Sequence, residues 1–230
     1  MTVIADLEQL AQRAGHELES APADEIVRWA VQTFNTRFAV ASSMQDAVLV
    51  HLVSQVAPGV DVLFLDTGYH FAETLGTRDA VAATYDVNLI TLTPRQTVAE
   101  QDAKHGPKLH DRNPDRCCGL RKAAPLDRAL QRYDAWATGL RRVETPTRAG
   151  TPVVSYDAKW GKVKIAPIAA WSDQDVEDYI AEHGILINPL LSVGYPSIGC
   201  APCTRAVAVG EHPRAGRWAG SVKTECGIHR

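Results

Sequence analysis

The sequence predicts an α/β fold, a parallel sheet flanked by helices. Three observations point there. Short apolar runs alternate with segments of helical period from Arg37 to Leu92. Those runs are almost continuously apolar, as strands covered on both faces are, instead of alternating apolar with polar. Finally, 45% of the 230 residues are hydrophobic and 22% charged, a composition that folds and fills a sizeable core.

The elements follow in order. MTVIADLEQLAQRAG is an amphipathic helix, with Leu7, Leu10, Ala11 and Ala14 at helical spacing. PADEIVRWAVQTF is a second helix with a Pro-Ala-Asp start. RFAVAS reads as a strand ending at Ser42-Ser43, QDAVLVHLVSQVA as a helix, and DVLFLDTG as a buried strand. FAETLGTRDAVAATY and NLITL repeat the helix-strand alternation. The region from Val98 to Cys118 is partly helical, with a loop near Asn113-Pro114. Helix-compatible sequence then runs to Tyr133, where Pro125 should bend or restart it. DAWATGL is a strand followed by the basic loop RRVETPTRAGTP; VVSYD and KVKIAPI form a hairpin through AKWG. WSDQDVEDYIAEHG is a helix with Ser172 as N-cap, acids in its first turns and Gly184 at its end. Beyond Asn188 the chain is rich in Gly and Pro. No repeat or low-complexity linker interrupts it, so a single domain, 1–230, is expected: N-terminal helices (1–34), a sheet core (35–187) and a C-terminal segment (188–230).

The opening helix lacks the pattern of a signal peptide, and no apolar run approaches the ~18 residues of a membrane span. The expectation is a cytoplasmic chain with no membrane partner. The net charge of −3 is unevenly spread. Lys104 to Lys122 holds six Lys and Arg against two acids, Gly139 to Arg148 three against one, and Cys200 to Arg230 five against two. Positive charge thus travels with the cysteines, which suggests a small anionic ligand. A pI near 6.2 argues against a nucleic-acid groove.

Five cysteines remain to be explained. Cys117 and Cys118 are adjacent, and Cys200 and Cys203 form a C-x-x-C pair, CAPC. That pair alone is ambiguous among redox, zinc and iron–sulfur chemistry. With the doublet it supplies four thiolates, enough for a tetrahedral zinc or an iron–sulfur cluster. Adjacent helical residues project about 100° apart. Both members of the doublet can therefore reach one centre only at a helix start or distortion, and a cluster with several iron corners receives them more easily than a single ion. The fifth, Cys226 in the terminal ECGIHR, is expected on a mobile tail, where His229 and Arg230 would favour an accessible thiolate.

In order along the chain, LDTG, CCGLRK, TGLRR, CAPC and ECGIH make it resemble the assimilatory adenylyl-sulfate (APS) reductases, of the wider phosphoadenylyl-sulfate reductase family, over roughly residues 35 to 230. The resemblance implies an adenine nucleotide alpha hydrolase-like fold in which 35–187 is the nucleotide-binding core. It implies a [4Fe–4S] cluster on Cys117, Cys118, Cys200 and Cys203, with Cys226 as the nucleophile. It places the nucleotide at Ser42 and Ser43, within SSMQD, and at Leu65 to Gly68. The first of these loops lacks the Gly pair of ATP pyrophosphatases, and a phosphosulfate needs less than a triphosphate does. Lys122, on the same helical face as Cys118, would offset the charge of cluster and sulfate. Arg141, Arg214, Arg217 and His229 complete the expected substrate contacts.

The activity implied is reduction of APS to sulfite and AMP through an S-sulfocysteine at Cys226, discharged by thioredoxin or glutaredoxin, in sulfate assimilation toward cysteine. The cluster, fully ligated by protein, is expected to act electrostatically and structurally. Two alternatives stay open. One is activity on the 3′-phosphorylated compound (PAPS), although family members specific for it generally lack the four cluster cysteines. The other is a non-enzymatic nucleotide sensor holding metal on four cysteines. A homo-oligomer is compatible with the sequence, which does not set the number of copies.

Overall fold

The computed structural model describes residues 2–221 and 223–228. Two helices, α1 (Thr2–Glu17) and α2 (Ala23–Phe34), precede the alternation β1 (Phe38–Ser42), α3 (Val48–Val56), β2 (Val60–Leu65), α4 (Ala72–Thr84) and β3 (Val87–Leu92). Three short helices follow, α5 (Val98–His105), α6 (Leu109–Arg112) and α7 (Pro114–Cys118). A π-helical turn, Gly119–Ala123, joins α7 to α8 (Ala124–Leu130). The chain then forms β4 (Ala135–Thr138), the hairpin β5 (Val154–Asp157) and β6 (Lys162–Ile165), and α9 (Asp173–His183).

The six strands lie in the order β3-β2-β1-β4-β6-β5. All neighbours are parallel except β5 and β6, the predicted hairpin. In the central register Val40 pairs with Val62 on one side and Ala137 on the other. Alternate residues of the central strands divide the core. Phe38, Val40, Val62, Phe64, Ala135 and Ala137 face the large cluster under α1 to α3. Ala39, Leu63 and Trp136 face a second cluster with Leu126, Leu130 and Tyr133. Both faces are therefore buried, which is why these strands read as continuous apolar runs.

Helix signals act locally. Ser172 Oγ accepts from Asp175 N at 3.1 Å while Asp175 Oδ2 accepts from Ser172 N at 2.7 Å, the reciprocal cap expected for α9. Gly184 ends that helix at φ 60°. Pro125 falls in the first turn of α8. Its ring carries no N–H, so the ladder is broken there. The chain widens immediately before it, with Ala124 N donating to Gly119 O five residues back. The strand order reverses between β1 and β4, which leaves a crevice at their C-terminal ends. Among the described residues no helix is long and apolar enough to cross a membrane.

Candidate active site

The π turn resolves the problem of the cysteine doublet. Cys117 and Cys118 end α7, just where the regular ladder opens, and both line one cavity with Cys200 and Cys203. Such single π turns are frequent at functional sites. The 200–203 turn is tied to the sheet through the loop after β2. Ala201 N donates to Tyr69 O at 2.7 Å, and Thr67 Oγ1 lies 3.2 Å from Cys200 Sγ. Thr67 O accepts in turn from Arg121 Nε, and Arg121 Nη1 reaches Gln96 O and Gln101 Oε1 at 3.2 Å. Arg121 is therefore a buried strut joining the LDTG turn to the π turn. Gly68, at φ 70°, lets that turn reverse, and a Cβ there would lie 3.0 Å from the same guanidinium.

All five cysteines are free thiols. Among the described residues no three Cys, His, Asp or Glu side chains converge as a single metal ion needs. The four thiols ring the cavity instead, a donor set that fits a multi-iron cluster better than one zinc ion. Burial, and then the neighbouring Cys200, push the Cys117 and Cys203 thiols up to about 11. Such crowded thiols become thiolates together only around a positive centre. Lys122 and Arg217 also line the cavity. Burial lowers the Lys122 ammonium's pKa, but facing Cys200, Cys226 and Cys118 outweighs that and raises it. Arg217 donates through Nη1 to Ser197 Oγ at 3.2 Å and Ile198 O at 3.0 Å, while its buried Nε has no partner. Gly199 makes room for it, since a Cβ there would stand 2.3 Å from Nη2. An unpartnered buried guanidinium N–H is a standing invitation to an anion.

The terminal segment departs from expectation. A mobile tail was anticipated, yet Cys226 is only 7% exposed. Its thiol shares a hydrogen bond with Cys118 and faces Lys122 and Arg217, which together hold its pKa well below the ordinary thiol value against burial. His229 and Arg230 lie outside the described residues; among the described ones, Lys122 and Arg217 are the cations that favour this thiolate. The anchors come from distant parts of the chain. Lys223 reaches Asp115 on α7, Lys159 donates to Gly227 O, and Ile228 packs against the Leu126–Trp136 cluster. Glu225 is gripped by Arg148, Thr145 and Thr147. Arg214, one of the expected substrate contacts, reaches Ser197 Oγ, Thr224 O and Glu225.

The second group of expected contacts lies at the crevice between β1 and β4. Ser42 ends β1 and Ser43 follows it, while Arg141 lies beyond the end of β4. Ser42 Oγ accepts from Met44 N at 3.3 Å, with Met44 in the left-handed region at φ 59°. The N-terminus of α3 is less open to an anion than the sequence suggested. Ala47 N donates to Leu186 O and Val48 N to Asp46 Oδ1. Burial raises the Asp46 carboxyl's pKa, and nearby Arg141 moderates this. Arg141 binds Asp173 through Nη2 at 2.8 Å, while its Nη1 is buried without a partner. Leu65 O accepts from His70 Nε2 at 2.8 Å. The structure thus separates two neighbouring regions: a crevice with Ser42, Ser43 and Arg141, and a cysteine cavity with Lys122 and Arg217. Thr67 of the LDTG turn lines the cysteine cavity, and the strand before that turn, β2, neighbours β1. Sequence reasoning missed Thr67, Arg121, Arg148 and Glu225; Thr67, Arg121 and Glu225 stood inside LDTG, CCGLRK and ECGIH, while Arg148 lay only in the basic loop after β4.

A family model described as the phosphoadenosine phosphosulfate reductase domain matches residues 35–206. The chain is 68% identical over 224 residues to an adenosine 5′-phosphosulfate reductase of Streptomyces coelicolor, covering 97% of this chain and 95% of that one. Its identity to the corresponding protein of Mycolicibacterium smegmatis is 58%, with the same coverage. Among solved structures it matches a phosphoadenylyl-sulfate reductase of Candida auris, in a phosphate complex, with TM-score 0.74 and 30% identity over 86% of this chain and 96% of that one. A Candida glabrata FMN adenylyltransferase, at 13% identity and TM-score 0.60 over 88% of this chain and 75% of that one, shares the fold.

Proposed function

The chain belongs to the phosphoadenosine phosphosulfate reductase family, among its adenosine 5′-phosphosulfate reductases, and from that premise we propose that it reduces adenosine 5′-phosphosulfate (APS) to sulfite and AMP with Cys226 as nucleophile. One observation carries the assignment of roles. The only thiol outside the two cysteine pairs is docked against Cys118, at the cavity where Lys122 and Arg217 collect positive charge.

The crevice residues Ser42, Ser43 and Arg141 receive the adenylyl phosphate, with Leu65 to Gly68 beside it. The sulfate then lies toward Lys122 and Arg217, whose charge lets an anionic thiolate approach an anionic group. Cys226 Sγ attacks the sulfate sulfur, the bond from sulfur to the bridging oxygen breaks, and AMP leaves with that electron pair. S-sulfocysteine remains on Cys226. A thiolate of thioredoxin or glutaredoxin then attacks Cys226 Sγ, sulfite departs, and a second thiol of the reductant resolves the mixed disulfide. Two electrons pass from the dithiol to the sulfur. Cys117, Cys118, Cys200 and Cys203 would hold a [4Fe–4S] cluster, which when bound supplies a fixed charge beside the sulfate and ties α7 to the 200–203 turn.

Iron-replete wild type incubated with APS and no reductant should gain one sulfo group on the peptide containing Cys226, and thioredoxin should discharge it as sulfite. Cys226→Ser should keep its iron and make no sulfite. A Cys226→Ser protein that still turns over APS would overturn this mechanism.

A further inference from the structure

We propose that Glu225 is a positioning residue, and that the loop 145–148 is a carboxylate clamp that seats the terminal segment and so places Cys226 at the cysteine cavity. Glu225 is 6% exposed and Arg148 8%. Glu225 Oε1 accepts from Arg148 Nε at 2.9 Å, Thr145 Oγ1 at 3.1 Å and Thr147 Oγ1 at 3.3 Å. Its Oε2 accepts from Arg148 Nη2 at 2.7 Å and, more loosely, from Arg214 Nη2 at 3.5 Å. A buried carboxylate is tolerated only when its lone pairs are filled, and a guanidinium fork fills two of them in one fixed geometry. Arg148 is itself braced by Glu144. None of these side chains lines the cysteine cavity. Their effect on it passes through the backbone from residue 225 to residue 226, and through Arg214, which shares Ser197 Oγ with Arg217.

The other anchors of the segment are weaker. Lys223 is buried, but the Asp115 that holds it has a side chain 64% exposed, so solvent screens that pair from one end, whereas both partners of the Glu225–Arg148 pair are buried. Removing one partner of a buried pair leaves the other charge stranded, which costs far more. The clamp therefore decides whether the segment docks. Because it is made of hydrogen bonds and ion pairs, with no covalent link, it is also reversible. On the proposed function, on which this inference rests, reversibility is needed: the buried Cys226 adduct must come out before a protein thiol can attack it.

The test uses full-length, iron-replete protein and two readouts. The first is the rate at which iodoacetamide alkylates Cys226, followed on its peptide by mass spectrometry without substrate. The second is the single-turnover rate of sulfo-adduct formation across APS concentrations. Losing hydrogen bonds to a charged group, Glu225→Gln should speed alkylation and slow maximal adduct formation each by about tenfold or more. The APS concentration for half-saturation should stay near that of wild type. Arg148→Lys, which keeps the charge but loses the fork, should fall between. Wild-type rates in both readouts for Glu225→Gln would overturn the proposal. Should that variant lose its iron, Thr147→Val at an exposed position decides: several-fold faster alkylation supports the clamp, and an unchanged rate rejects it. If wild type never forms the adduct, the proposed function fails, while the alkylation comparison still decides whether the clamp exists.

Discussion

Lys122 and Arg214 show how much a basic residue's role depends on what already holds it. Both were expected to meet substrate. Arg214 reaches the terminal segment, through Thr224 O and Glu225. Lys122 instead faces Cys200, Cys226 and Cys118 at the cavity. Its charge should therefore act on the transferring sulfate and not on the adenosine. Lys122→Ala is expected to reduce kcat/KM for APS by roughly 10- to 150-fold, the worth of a charge-assisted contact, while AMP affinity changes little. Turnover assays beside AMP titration check this, and equal losses in both would contradict the placement.

At the scale of elements, two N-caps of similar chemistry carry different consequences. Asn113 Oδ1 accepts from Arg116 N at 2.9 Å and starts α7, the short helix that delivers Cys117 and Cys118. Ser172 starts α9, which carries none of the cysteines. Replacing either residue by Ala should cost about 1 kcal/mol of stability. Only Asn113→Ala should also lower the iron retained per chain. Urea unfolding together with iron analysis on both variants tests the pair, and equal iron retention would remove α7 capping from the site's design. The Ser172 cap was readable in the sequence, because it depends on residues three positions apart, whereas Asn113 reads only as part of a loop. The π turn was not readable: Pro125 announced a break, but which way the ladder would shift depends on the packing of Leu126 and Leu130 under the sheet.

For the whole molecule, the cysteine pairs belong to different regions, one at the end of α7 and one in the turn before the terminal segment. A bound cluster would join them, and a ligand that binds only the folded state stabilises it. Anaerobic chelation of iron should lower Tm, by about 2–4 °C for each kcal/mol of linkage lost in a chain of this size. Calorimetry before and after chelation measures it, and an unchanged Tm would count against a cluster bridging the two pairs. Iron-replete Cys226→Ser should melt near wild type, since that thiol is outside the bridge.

The sequence by itself determined the α/β alternation, the caps of α9, the pairing of four cysteines and the isolation of a fifth. Each is a local pattern, set by hydrophobic period or by residues close along the chain. It did not determine that the terminal segment is docked, that Arg214 holds it, or that Thr67 and Arg121 buttress the cysteine turn. Glu225 and Arg148 meet across 77 positions, and neither has a local reason to be buried. Only the fold, by bringing the loop after β4 against the end of the chain, turns two ordinary charged residues into a clamp.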